Sequence, residues 1–201
     1  HRDIPLQNSF TGRVEAVHTV ELRPRVSGEL DAVLFREGQI VQKGAPLFRL
    51  DQRPYLIAVR RAEAEAATIA AQLARAREES ARAERLVSSD AISIEELERR
   101  RAEVVTLESR LEMARAQVNE AALHLEFTTV VAPVTGRIGR AEVTVGNLVS
   151  SHTGSATRLA VLHSVNPVHV YFDLDPATAA EAARSSRNLW RATVAGMNGG
   201  A

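Results

Sequence analysis

No cysteine occurs in the 201 residues. That excludes a disulfide framework, thiol catalysis and thiolate zinc sites, and leaves the redox compartment open. Net charge is absent as well, because 25 basic side chains stand against 25 acidic ones. A nucleic-acid binder needs a basic excess to displace phosphate counterions, so that class is not expected. Aromatics are scarce at 4%, although apolar residues reach 45% and can bury a core in one or two ordinary domains. No run of about 18 apolar residues is present, so nothing reads as a membrane span. The stretch opens at His1 without a charged-then-apolar leader, and a signal peptide or lipid anchor is expected outside it.

The most informative scarcity is local. Glycine is missing between Gly44 and Gly136, and proline between Pro54 and Pro133. The middle of the chain therefore reads as long, unbroken helix, and the turn-rich, β-branched flanks read as short strands. In the first arm Tyr55, Val59, Ala62, Ala66, Ile69, Leu73, Ala76, Ser80, Ala83 and Val87 alternate at spacings of four and three, a narrow heptad seam. In the second arm Leu97, Val104, Leu111, Val118 and Leu125 repeat every seven residues. Leu107, Ala114 and Ala121 supply the other seam position, and Arg100 is the one misfit. Glu78–Arg82, Glu95–Arg99 and Glu96–Arg100 are Glu-first pairs at i,i+4. Pro54 sits in a first turn, where its missing N–H costs little. Ser93 and Glu96 form a capping-box pattern that restarts helix after the turn around Ser88, Ser89 and Asp90. Each arm of roughly 33 residues reaches about 50 Å at 1.5 Å per residue. One seam between two helices makes a projecting coiled-coil hairpin, not a globular core.

The flanks repeat one another. At an offset of 108, Val26-Ser27-Gly28-Glu29-Leu30 matches Val134-Thr135-Gly136-Arg137-Ile138, and Gly38-Gln39-Ile40-Val41 matches Gly146-Asn147-Leu148-Val149. After four extra residues, Leu47-Phe48-Arg49-Leu50 matches Leu159-Ala160-Val161-Leu162. Gly28, Gly38, Gly136 and Gly146 are each expected to supply a positive φ in a tight turn. Two such four-strand units can bury their apolar faces jointly, and neither is large enough to do so alone.

These segments resemble the half-motifs of a lipoyl/biotinyl domain split by an inserted hairpin. With Gly12–Val17, Arg36–Gly44, Ala132-Pro133 and Asn166–Asp173 they resemble the periplasmic adaptor, or membrane fusion, proteins of the HlyD/AcrA/MexA-like family. The likeness runs from about Gly12 to Asp175. It implies an α+β multi-module fold, with an antiparallel coiled-coil α-hairpin (53–126) inserted into a split lipoyl-like β-sandwich (23–52 and 127–163). A partial β-barrel (10–22 and 164–201) flanks the sandwich, and residues 177–191 look helical. Such a barrel could not close with what is present, so the sequence is expected to be part of a longer adaptor.

The family's hairpin tip carries Arg, Leu and Ser at spacings of four and seven, which Arg82, Leu86 and Ser93 match. By resemblance this tip, with Ser89 and Asp90, meets a TolC-like outer-membrane channel. An aliphatic side chain between a guanidinium and a hydroxyl suits a groove between helices. The alternative is plainer: Arg82 solvated, Leu86 in the last seam turn and Ser93 only a cap. The likeness further implies six self-associating copies, a periplasmic location with an inner-membrane anchor, and a transporter of the RND class, with an ATP-driven exporter as alternative.

Three rival readings are open. A lipoyl or biotinyl carrier needs a lysine on the turn between its halves, yet the single lysine, Lys43, lies inside the first half. A metal site is not expected from His18, His124, His152, His163 and His169, which show no ligand spacing, and no cofactor is implied. A bare coiled-coil spacer would share the hairpin but not the split repeat. Enzyme signatures, among them G-x-S-x-G and the phosphate loop, are missing.

Overall fold

The computed structural model describes residues 12–87, 91–152 and 154–172. Two helices dominate: α1 (Arg53–Val87) and α2 (Ile94–Glu126). Seam positions read from the heptads are the ones they bury against each other. Leu73, Ala76, Ser80 and Ala83 of α1 face Leu97, Leu107, Leu111 and Ala114 of α2. Alanine at three of these eight places lets the backbones approach and favours helix intrinsically. Outside the seam the helices are mostly charged, with scattered exposed aliphatics such as Ile57, Val105 and Met113, so the rod is held by one narrow apolar strip and by ion pairs across it.

Around the base of the rod lie ten strands. They are β1 (Gly12–Ala16), β2 (Thr19–Leu22), β3 (Gly28–Val33), β4 (Ile40–Val41) and β5 (Pro46–Leu50) before the helices. After them come β6 (Thr129–Val131), β7 (Gly136–Ile138), β8 (Leu148–Val149), β9 (Ala160–Ser164) and β10 (Val168–Phe172). One sheet has the order β2-β9-β7-β4 and the other β6-β5-β3-β8, and β1 pairs only with β10. Exchanging the two sequence repeats converts either four-stranded order into the other. Each sheet therefore takes two strands from each half, with β4 and β8 crossing over. The backbone repeats this symmetry bond by bond. The Leu30 N–H donates to the Asn147 carbonyl (2.9 Å) and the Ile138 N–H to that of Gln39 (3.0 Å). The Gly146 N–H meets the Leu30 carbonyl (2.8 Å) and the Gly38 N–H that of Ile138 (2.9 Å).

The core is built from symmetric pairs: Leu30 with Ile138, Leu47 with Leu159, Leu50 with Leu162, Val41 with Val149. Phe48 departs from this, since Ala160 is its counterpart. Phe35 fills the difference by packing edge-on to Phe48 with ring centroids 5.2 Å apart. Large against small at equivalent points lets the two halves interdigitate.

Two sequence expectations need correction here. The sequence pattern groups Thr19–Leu22 with the partial barrel, but it pairs with β9 inside the sandwich, and the Leu159 N–H donates to the Leu22 carbonyl. The cause is burial, because Leu22 is a core residue. Among the described residues the barrel is represented by the β1–β10 ribbon. The helix expected over 177–191 lies outside the described residues.

The second correction concerns the turn glycines. Gly38 (φ 76°) and Gly146 (φ 88°) do take the left-handed conformation, but Gly28 and Gly136 do not. Gly136 is needed for space instead. A Cβ there would stand 2.3 Å from the backbone oxygen of His163 on β9, whereas at Gly28 the nearest atom is the Leu50 Cβ at 3.8 Å. Gly136→Ala should therefore force β7 and β9 apart and lower stability by about 2–4 kcal/mol, while Gly28→Ala should change it by less than about 1 kcal/mol. Denaturant unfolding of the two variants beside the parent checks the contrast, and equal effects would contradict it.

Candidate partner-docking tip

The hairpin grows from paired strands. β5 ends at Leu50 and α1 starts at Arg53; α2 ends at Glu126 and β6 starts at Thr129. Asp51 begins α1 by accepting the Arg53 backbone N–H (3.0 Å) and the Arg53 guanidinium (2.8 Å). At the junction the Gln52 amide donates to the Thr128 hydroxyl (2.9 Å), which donates to the Leu125 carbonyl (2.6 Å). The Tyr55 hydroxyl donates to the Ser27 carbonyl on the sandwich (2.6 Å), and the Arg25 guanidinium lies 5.0 Å over the Phe127 ring. These ties fix the rod to its base, and the sequence alone gave no sign of them.

Further out, ion pairs join the arms. Arg77 reaches Glu108 (2.7 Å), and Arg101 meets Glu84. Arg100, the misfit of the heptad pattern, turns out to be a bridge. It takes Glu96 on its own helix (2.8 Å) and Glu79 on the other (3.1 Å). Where the seam loses an aliphatic, a half-buried guanidinium with two carboxylates replaces it. Of the i,i+4 pairs anticipated, Glu96–Arg100 forms, and Arg99 pairs with Glu96 one turn away.

Towards the tip, α1 presents Arg82 and Leu86 one turn apart, on one side of the helix. Arg82 is exposed. Leu86 is 40% exposed, and its seam neighbours Ala83 and Val87 are the more enclosed. The Leu86 carbonyl accepts the Ala91 N–H (3.0 Å), which closes the turn. Ser93 starts α2: its φ is −76° and ψ 156°, and its hydroxyl accepts the Glu96 N–H (3.2 Å). The carboxylate of Glu96 goes to Arg99 and Arg100. Ser89 and Asp90 lie outside the described residues. The tip thus places an exposed cation, a half-exposed leucine and a capping serine on the flanks of one turn.

Elsewhere, the Lys43 N–H donates to the Thr135 hydroxyl (3.0 Å) in the turn between β4 and β5. The turn between β5 and β6, where a carrier would need its lysine, is the hairpin itself. The His163 ring faces the Thr19 hydroxyl (3.1 Å) and the His152 ring that of Ser150 (3.1 Å). Among the described residues, no three histidines or carboxylates gather as a metal site, and no helix is long and apolar enough to cross a membrane.

A family model described as "RND MFP, barrel-sandwich hybrid domain" matches residues 18–163. The chain belongs to this family of membrane fusion proteins. Multidrug resistance protein MdtA of Erwinia amylovora is 36% identical over 187 residues, covering 93% of the chain and 46% of that protein. The chain spans about half the length of the curated relatives it matches. Two solved structures share the fold. One is a membrane fusion protein of Streptococcus pneumoniae R6 (TM-score 0.62, 21% identity, 85% of this chain and 72% of that one). The other is a MacA–MexA chimera carrying the Pseudomonas aeruginosa MexA α-hairpin domain (TM-score 0.55, 22% identity, 85% and 56%). The hairpin-in-sandwich arrangement is therefore the membrane-fusion fold.

Electrostatics near the tip set a pH window. The Arg75 hydrogen bond, above all, holds the Glu79 carboxyl below its ordinary value of 4.5; burial opposes it, and the charges of Arg75, Arg100 and Arg82 reinforce it. Burial pushes Glu96 up, but hydrogen bonds from Arg99 and Arg100 outweigh it and leave that carboxyl low as well. With folded values beneath unfolded ones, the stabilisation is complete above about 4.5 and is lost as pH falls through the folded values. The helical melting temperature should hold from pH 8 to 5 and drop below about 4.5. Combining Glu79→Gln with Glu96→Gln should shrink that drop, and circular dichroism melts across pH check it. A drop of undiminished size in the double variant would assign it to other carboxylates.

Proposed function

We propose that the chain is the hairpin-and-sandwich part of a periplasmic adaptor that joins an inner-membrane transporter to an outer-membrane channel and seals the export path between them. The observation that carries this reading is the tip. A rod of two helices, about 50 Å long by its residue count, holds Leu86 partly exposed beside Arg82 and Ser93 at the end farthest from the sandwich. Ala83 and Val87, next to Leu86, are the more enclosed, and Leu86 keeps 40% of its surface accessible. A leucine beside a guanidinium and a hydroxyl fits a groove between the helices of a channel mouth.

The remaining parts of the reading follow from family membership. The transporter is of the RND class, as the name of the matching family model supports, and the MdtA relatives, named for multidrug resistance, support a role in efflux. Six copies surround the conduit, each anchored to the inner membrane through a segment outside this stretch. Catalysis has no place in it; the molecule binds, spans and seals.

Leu86→Asp tests the tip directly. A hot-spot residue at such a contact contributes about 2 kcal/mol or more, roughly 30-fold in affinity. Drug resistance supported by the complete protein should fall to the level of the deletion strain, with helicity and melting temperature of the hairpin unchanged. Photocrosslinking in cells from position 89 or 90 should capture the channel in the parent and lose it in the variant. Full resistance with a folded hairpin would overturn the docking role.

A further inference from the structure

The turn that precedes β9 is built differently from its partner before β5. Under the pseudo-two-fold that exchanges the halves, Gln42, Lys43 and Ala45 correspond to Ser150, Ser151 and Thr157, so four extra residues stand between the last two. The bonds that frame the turn are kept. The Lys43 N–H donates to the Thr135 hydroxyl (3.0 Å), and the Ser151 N–H donates to the hydroxyl of the equivalent residue, Ser27 (3.0 Å). The Ala45 N–H donates to the Gln42 carbonyl (3.0 Å) and the Thr157 N–H to that of Ser150 (2.9 Å). The closure onto the neighbouring segment is what differs. In the first half the Gly44 N–H meets the Ala132 carbonyl (2.8 Å) and the Ala132 N–H that of Ala45 (2.9 Å). The equivalent of Ala132 is Pro24, which has no N–H to give. The Arg23 side chain takes over by donating to the Ala156 carbonyl (2.7 Å).

This longer loop is joined to the rod through one residue. In the first turn of α1 the Tyr55 hydroxyl donates to the Ser27 carbonyl (2.6 Å). The side chain of the same serine accepts the Ser151 N–H and lies 3.0 Å from the Ser151 hydroxyl. Ser27 thus carries the rod on its carbonyl and the loop on its hydroxyl. The Ser150 N–H donates to the Thr157 hydroxyl (3.0 Å) and closes the loop's base. Ser27, Tyr55, Ser151 and Thr157 are all half-buried, so water competes with these bonds less than at an open surface. The other half has no such link, because Pro167 stands in the place of Tyr55 and has no hydroxyl. The fold supplies the turn in both halves. The added residues and the link to the rod occur in one half only, and it is the same half.

We propose that the loop before β9 is a stay for the rod, with Ser27, Ser151 and Tyr55 as positioning residues that couple the loop's conformation to the angle at which the hairpin leaves the sandwich. Such coupling is reciprocal. A contact made where His152, Gly154 and Ser155 face solvent shifts the tip, and fixing the tip tightens the loop. The Gln52–Thr128 bond still holds the rod when the stay is cut, so the stay trims the angle and does not carry the attachment. The coupling itself stands on this geometry; only its use, aiming Arg82 and Leu86 at a channel, rests on the reading above.

The test reads each end while the other is altered, and needs no channel. This stretch has no cysteine, so Ala91→Cys and Arg140→Cys, both at exposed positions, place nitroxide labels on the tip and the sandwich of the complete protein. Pulsed electron resonance then gives the spread of tip positions, and hydrogen exchange with mass spectrometry follows residues 150–158. Tyr55→Phe should speed exchange in that loop by about fivefold, the worth of one ordinary hydrogen bond, although no loop residue has changed. Ser27→Ala alters no atom that touches the rod, yet it should broaden the tip distribution. Ser27→Thr keeps the hydroxyl, as Thr135 does in the other half, and should restore the parent distribution. Circular dichroism confirms that each variant is folded. Parent exchange rates in Tyr55→Phe, or a parent tip distribution in Ser27→Ala, would make the two bonds independent and overturn the coupling while leaving the docking role of the tip untouched.

Discussion

The antiparallel pairing of β5 with β6 is the constraint on which the molecule depends. It sets the ends of two strands about 4.8 Å apart, and two helices must leave from there with axes 8–10 Å apart. Asp51-Gln52 and Phe127-Thr128 absorb the mismatch. The bonds of Gln52, Thr128 and Tyr55 then remove the freedom such short links would leave. Leverage makes this stiffness matter. On an arm of about 50 Å, a tilt of about 10° at the base moves the tip by about 9 Å, close to a helix diameter of about 10 Å. A docking tip of a few side chains works only if the base does not rock.

The seam meets a different demand. A coiled coil rich in leucine would be more stable, but its bulk would hold the backbones apart. Here alanine and serine alternate with leucine, so the rod is slender and its outer faces are mostly polar, with Ile57, Val105 and Met113 as exposed exceptions. The cost in buried apolar area is offset by charge pairs across the arms, and Arg100 shows the exchange at one position. Its pairs with Glu79 and Glu96 span the helices where the heptad pattern lacks an aliphatic. This also ties the rod's cohesion to ionised carboxylates, unlike the sandwich core, which is built of aliphatic side chains around Phe48.

Much of this was legible in sequence, and the pattern of success has a physical cause. The offset of 108 residues picked out positions under the same constraint in both halves, such as Gly38 with Gly146 and Leu30 with Ile138. Steric demands of turns and cores write themselves as residue types at fixed spacing. Strand order does not. Nothing in Thr19–Leu22 announces that it pairs with β9, because three or four alternating residues fit a sandwich edge and a barrel strand equally. Gly28 and Gly136 looked like one signal, yet only Gly136 answers to a close backbone approach, a long-range fact. At the tip, Leu86 stood out only through the spacing of Arg82, Leu86 and Ser93, whereas Ser93 was legible as a cap because capping is local. The ties of Tyr55 to Ser27 and of Arg25 to Phe127 join distant segments and left no spacing to read.

The symmetry of the sandwich ends at its surface, and that is where the two halves acquire separate tasks. Leu34, Pro46 and Val131 form an exposed apolar corner, with Pro46 and Val131 paired across β5 and β6. Their counterparts under the same two-fold are Glu142, Arg158 and Arg23. There Arg158 holds Glu142 (2.7 Å), and Arg23 takes Glu21 (2.9 Å) and the Ala156 carbonyl (2.7 Å). A core residue is fixed by what packs against it, so equivalent interior positions keep equivalent residues. An outward residue answers only to what lies outside. When one backbone position is apolar in one half and ion-paired in the other, the fold cannot be the reason, because the fold treats both alike. The differences between the halves are therefore a map of where the surroundings of the domain differ. The hairpin is the largest of them, since it occupies the turn between β5 and β6, whereas the matching end of β9 leads through Pro167 into the β1–β10 ribbon. One end of the repeat reaches outward and the other continues into the next module.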